Sequence, residues 1–122
     1  RRPVYCTALG KAMLTGLRDA QIVSLIDPRS MVKFTSHTIT NLDSLVSEVQ
    51  QTRERGYAID DEEVEIGMKC VAAPILDYRN EVIAAVSTSW DLSTYDTDMT
   101  ERNSKLILDT ARSISMRMGY RG

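Results

Sequence analysis

Apolar positions follow two rhythms along this chain, and the change between them divides it. The first half is helical in period. Leu42, Leu45, Val46 and Val49 fall at i, i+3, i+4 and i+7. That spacing predicts a helix capped by Thr40 or Asn41 and stopped at Gly56, where a left-handed residue is wanted. Glu48, Arg53, Glu54 and Arg55 cover its wet side. Thr7 caps a shorter predicted helix through Ala8 to Leu14, with Leu9, Ala12 and Met13 as its apolar side and Gly16 as its end. Asp19 to Ile26 predicts another, carrying Ile22, Val23, Leu25 and Ile26. Pro28 disfavours helical backbone at Asp27, so Asp27-Pro28-Arg29-Ser30 reads as a turn. Phe34 to Thr40 is rich in Ser and Thr and reads as a loop or a short extended piece.

After Gly56 the period drops to two. Tyr57-Ala58-Ile59 is extended and leads into the acidic run Asp60-Asp61-Glu62-Glu63. Glu65 continues the charge while Val64 and Ile66 alternate with it, a pattern that predicts an edge strand with its charges outward. Met68 to Leu76 and Val82 to Trp90 are two apolar strands joined at Asp77-Tyr78-Arg79-Asn80, an antiparallel hairpin with a buried face. A long helix follows from Asp98 to Met118, opening on the capping-box pair Asp98 and Glu101. Its stripe is Ile107, Ala111, Ile114 and Met118. Grouped strands with helices around them predict an α+β domain, an antiparallel sheet flanked by helices. Three strands make a thin sheet for two helical layers, which predicts further strands upstream of Arg1. The opening at Arg1, with no initiator Met, is likewise expected of a piece excised from a longer protein.

Composition narrows the function classes. The 122 residues suit one domain, and 43 % apolar with 26 % charged residues is ordinary for a globular protein. The net charge is −2, with Lys and Arg scattered. That counts against this chain gripping DNA by itself. No stretch is long and apolar enough to predict a membrane span or a signal peptide. Two cysteines, Cys6 and Cys70, with no metal-type spacing predict reduced thiols and a cytoplasmic setting. No metal or cofactor is called for; Gly10-Lys11 lacks the other glycines of a phosphate-binding loop.

The hairpin carries the candidate chemistry. By its period of two, Ile83, Ala85, Ser87 and Ser89 share one face of the return strand, and Met68, Cys70 and Ala72 share one face of the incoming strand. Two hydroxyls and a thiol therefore project from a surface of small residues, which leaves room for a small polar ligand. The alternative is that the serines bond to backbone or face water, and that Cys70 is a small core residue. The acidic run has two readings as well: a general acid or metal ligand in a cleft, or a solvated turn. His37 is the one histidine. It has no nucleophile context in sequence and is assigned a loop-anchoring role. Trp90 and Tyr95 are read as wall or interface aromatics.

Several stretches together resemble one family. They are Tyr5-Cys6-Thr7-Ala8-Leu9-Gly10-Lys11-Ala12-Met13-Leu14, Phe34 to Thr40, Arg55 to Glu63 followed by Gly67 to Pro74, Ser87-Thr88-Ser89, and the closing Ser115 to Tyr120. In that order they resemble the C-terminal effector-binding domain of IclR-type transcriptional regulators over nearly the whole chain. The resemblance implies a GAF-like, profilin-like domain with a pocket over one sheet face. It implies residues 1–122 are a fragment of that domain, with its first part and an N-terminal winged helix-turn-helix lying upstream. It carries over Asp60, Cys70, Ser87 and Ser89 as ligand-binding residues, the backbone amides of Ala8 and Leu9 as donors to an anionic group, and Met68 as an apolar wall. Leu9 is bulkier than the small residue of glyoxylate-type members.

The function so implied is not enzymatic. It is sensing of a small carboxylate effector, of the keto-acid or sugar-acid class, by a bacterial repressor or activator. The resemblance also implies a homodimer or homotetramer, with DNA bound only through the N-terminal domain and no membrane partner. Two rivals are a ligand-free GAF-like dimerisation module and, behind it, a small hydrolase-type enzyme with Asp60 and Cys70 as acid and nucleophile, which requires His37 to fold close to Cys70.

Overall fold

A computed structural model describes residues 3–92 and 99–122. The expected Asp98 cap and Tyr95 lie outside the described residues. The element order is α1 (Ala8–Leu14), α2 (Asp19–Leu25), a 3-10 turn (Pro28–Ser30), α3 (Leu42–Arg55), β1 (Ala58–Asp61), β2 (Met68–Leu76), β3 (Val82–Asp91) and α4 (Met99–Arg117). The strands form an antiparallel meander in the order β1-β2-β3. Helices pack on both faces, so the α+β architecture is the one the pattern predicts.

The local signals act where the chain places them. Thr7 Oγ1 accepts from Gly10 N at 3.1 Å and starts α1. Asn41, not Thr40, caps α3, its Oδ1 accepting from Ser44 N at 2.8 Å. Gly56 ends α3 at φ 91, which a side chain would strain. Pro28 turns the predicted turn into one turn of 3-10 helix, with Asp27 accepting from Arg29 N.

Three apolar clusters hold these elements. Tyr5, Cys6, Leu14, Ile22, Leu45 and Val49 join α1, α2 and α3. Val71, Ala73, Ile75 and Trp90 meet Ile107 and Ala111 of α4 on one sheet face, so Trp90 is a core residue and not a cleft wall. On the other face, Ala8 and Ala12 of α1 meet Ala58 and Ala72 of the sheet. Four alanines let helix and sheet approach closely.

Three expectations fail here. The apolar pattern puts Leu9 and Met13 on the packed side of α1, yet both are substantially exposed; Ala8, Ala12 and Leu14 are buried instead. Met118 is exposed, and Ser115 takes its place on the buried stripe, its Oγ accepting from Leu76 N at 3.0 Å. Residues 62–67 form bends and a turn, not an edge strand, and Ile66 points to solvent.

Gly10 is required for space. A Cβ there would lie 2.3 Å from Val4 Cα and 2.5 Å from Val4 O, both backbone atoms. Alanine is the better helix former by about 1 kcal/mol, but overpacking against backbone costs roughly 1–3 kcal/mol. Gly10→Ala is therefore expected to lower stability in urea unfolding, and a stabilised variant would contradict this packing.

Candidate functional site

The register of the sheet lines the candidate residues up. Asp60 pairs with Cys70, and Cys70 with Ser89; one rung further on, Ala58 pairs with Ala72, and Ala72 with Ser87. Directly paired residues point to the same face. Asp60, Cys70 and Ser89 thus share one rung across three strands, on the face that α1 covers.

Beside the alanine seam a cleft of about 570 Å³ opens, a size that takes a small organic molecule. All seven predicted site residues line it: Asp60, Met68, Cys70, Ser87 and Ser89 from the strands, Ala8 and Leu9 from the first turn of α1. Leu9 and Met13 are exposed because they face this space. The sequence pattern does not single out Met13, Thr7 and Val4, which close the α1 side, or Val64 and Glu65, which come from the turn after β1.

His37 does not line the cleft. It is exposed, and its backbone N–H donates to Thr35 Oγ1 at 3.0 Å. The anchoring assigned to it falls to two threonines. Thr38 Oγ1 accepts from Phe34 N and Thr35 N and donates to Glu63 O, while Thr35 Oγ1 donates to Glu62 O at 2.6 Å.

The acidic run is only partly solvated: Asp61 is exposed and Glu62 half-buried. Asp60 and Glu63 are both buried. Asp60 Oδ1 accepts from Glu63 N at 2.8 Å. Glu63 Oε2 accepts from the Lys11 ammonium at 2.5 Å, and Lys11 is fully buried. Lys11 also donates to Ile59 O at 2.8 Å and lies 3.9 Å from Glu48 of α3. The second oxygen of Glu63 is buried without a partner. Burial pushes the Glu63 carboxyl up from its ordinary range; the Lys11 ammonium pulls it back, and Asp60 and Glu48 add to the rise. The sequence pattern does not join Lys11 to Glu63; its one signal is a lysine set among the alanines of α1. Among the described residues, no three His, Cys, Asp or Glu side chains gather as a metal site, and no helix is long and apolar enough to cross a membrane.

A family model described as "Bacterial transcriptional regulator IclR C-terminal" matches residues 1–116. The chain is 35 % identical over 120 residues to the HTH-type transcriptional regulator XynR of Escherichia coli (strain K12), covering 98 % of this chain and 48 % of that protein. Among solved structures, the Agobacterium tumefaciens repressor BlcR superposes with a TM-score of 0.90 at 31 % identity, over 100 % of this chain and 49 % of that one. The C-terminal domain of the E. coli transcriptional regulator KdgR gives 0.90 at 32 % identity, over 98 % and 73 %. The chain spans about half the length of the curated relatives it matches.

Removing one member of a buried ion pair strands the other. Lys11→Met is expected to cost roughly 3–5 kcal/mol in urea unfolding, and a loss under about 1 kcal/mol would show the pair to be solvated. The pH dependence has a definite sign. A raised carboxyl pKa means that the folded state holds the proton more tightly than the unfolded chain. Its favourable contribution is full below the unfolded value and is lost as pH climbs through the folded one. The stability of the wild type relative to Glu63→Gln should fall as pH rises above the ordinary glutamate value of about 4.3. A difference that instead grows as pH rises would show the Lys11 attraction outweighing burial.

Proposed function

The chain belongs to the IclR family of bacterial transcriptional regulators, as a C-terminal effector-binding domain, and from that premise we propose that its cleft binds a small carboxylate, of the keto-acid or sugar-acid class, to control transcription. The observation that carries this reading is the convergence of Asp60, Cys70, Ser87 and Ser89 with Ala8 and Leu9 on one cleft. On this reading the serine hydroxyls donate to ligand oxygens, and the amides at the start of α1 meet the carboxylate. Asp60 accepts from a ligand hydroxyl. Met13, Val64 and Met68 exclude water from the apolar part.

In the intact regulator, an N-terminal winged helix-turn-helix contacts DNA in the cytoplasm, and this domain joins subunits as a dimer or tetramer. The net charge of −2 agrees with DNA being bound elsewhere. A ligand preferring one subunit arrangement shifts the population toward it and so changes DNA affinity. The ligand-free dimerisation module is less favoured, because the cleft is neither filled by side chains nor devoid of polar groups. The hydrolase reading needs an imidazole beside Cys70, and His37 does not line the cleft that holds Cys70. The relatives are regulators, not enzymes.

A thermal-shift screen with pyruvate, glyoxylate and D-gluconate tests the reading. A hundredfold excess of ligand over its dissociation constant stabilises the folded state by about 2.7 kcal/mol, which reads as several degrees in Tm. One acid should raise Tm in the wild type and fail to do so in Ser87→Ala/Ser89→Ala. No shift with any acid, in a folded protein, would favour the dimerisation module.

A further inference from the structure

Two of the most buried charges among the described residues lie behind the cleft without lining it. Lys11 is fully buried, and Glu63 is buried with it. An ammonium and a carboxylate removed from water are a poor source of stability compared with apolar residues of the same volume. Their arrangement has a geometric consequence instead. After β1 the chain reverses at Glu62, whose φ of 59 is unusual for a residue with a side chain. Such backbone persists only when its surroundings hold it. The reversal turns Glu63 inward, so that its side chain meets Lys11 and its amide meets Asp60 Oδ1. One residue therefore joins the buried ammonium to the carboxylate that does line the cleft.

We propose that the Lys11–Glu63 pair is the positioning element of the ligand site, holding the 60–63 turn so that Asp60 is presented to the cleft in one orientation. This rests on the ligand-binding reading above. Lys11 contributes by two bonds at once: the ammonium fixes β1 through Ile59 O and the turn through Glu63 Oε2. Thr38 and Thr35 hold the same turn from the outside through the carbonyls of Glu63 and Glu62. Thr35, by holding Glu62 O, also orients the peptide plane that carries Glu63 N–H. Lys11 grips the same residue from the inner side, through its carboxylate, so the turn that brings Glu63 N–H to Asp60 Oδ1 is held from both sides. Neither member of the pair touches a ligand, so both are positioning residues that act through Asp60.

The test is a graded series. Replacing both partners by apolar residues of similar size, Lys11→Met with Glu63→Leu, removes the tether without stranding a charge and is the swap that proteins tolerate best. Glu63→Gln keeps an acceptor for Lys11 but weakens the bond by removing its charge. Amide hydrogen exchange at position 63, relative to the β2 amides of Val71 and Ala73, reads the Asp60 bond without any ligand. The ratio should rise about tenfold in the double variant and part-way in Glu63→Gln. An unchanged ratio in the folded double variant overturns the proposal. Should that variant not fold, an unchanged ratio in Glu63→Gln overturns it equally.

Calorimetry with pyruvate, glyoxylate and D-gluconate separates the two claims. Absence of binding by the wild type would remove the ligand-binding reading, while the exchange ratio would still decide the positioning. For an acid that does bind, affinity should fall about tenfold in the double variant and show no further loss when the same swap is made in an Asp60→Ala background. Additive losses would mean that the pair acts by general destabilisation and not through Asp60.

Discussion

A buried ammonium has to find acceptors, and in this molecule that requirement shapes everything around the cleft. Four alanines draw α1 close onto the sheet, and at that distance the Lys11 side chain does not reach water. The ammonium takes the carbonyl of Ile59 from β1 and the carboxylate of Glu63 from beyond it. Meeting both obliges the chain to double back directly after a four-residue strand. The left-handed backbone at Glu62, the bond from Glu63 to Asp60 and the threonine clamps from the 34–38 loop follow from that reversal.

The same close packing produces the cleft. Because α1 rests on alanines, its larger apolar side chains, Leu9 and Met13, have no place in the seam and project beside it. The sheet below offers small or polar residues in register on three strands. The cleft thus has a floor of paired strands and a wall made by one short helix. The α4 cluster packs on the opposite face of the sheet, and the α1–α3 cluster packs behind α1, meeting the cleft at Val64. Arg53 of α3 ties the turn between α1 and α2, bonding Asp19 at 2.8 Å and the carbonyls of Thr15 and Leu17. The wall helix is thereby connected to the helical layer behind it.

Much of the fold is readable because it is local. The period of α3, its Gly56 stop and the hairpin around Asp77 to Asn80 are each written within a few residues of where they act. Four of the cleft-lining residues, Met68, Cys70, Ser87 and Ser89, are also legible, since alternation along two strands assigns each side chain to a face; Asp60, Ala8 and Leu9 come from the family resemblance alone, and they line the same cleft. What fails is non-local. Glu63 finds its ammonium 52 positions away, and a charge pattern read along the chain sees four acids in a row and leaves a cleft acid and a solvated turn both open. Met118 fits the stripe of α4 by period, but Ser115 is the residue that reaches Leu76. Leu9 and Met13 read as core because apolar residues on a helix usually are; here they face a cavity. His37 draws attention as the one histidine, while two ordinary threonines do the anchoring.

On the proposed reading, the cleft over the face shared by Asp60, Cys70, Ser87 and Ser89 receives a small carboxylate ligand. An NMR titration of the labelled protein with pyruvate, glyoxylate and D-gluconate tests it residue by residue. Saturable amide shifts are expected for one of these acids, confined to the start of α1 and to positions 60, 70, 87 and 89. Saturable shifts centred elsewhere, or none from any acid while the spectrum stays that of a folded protein, would contradict it.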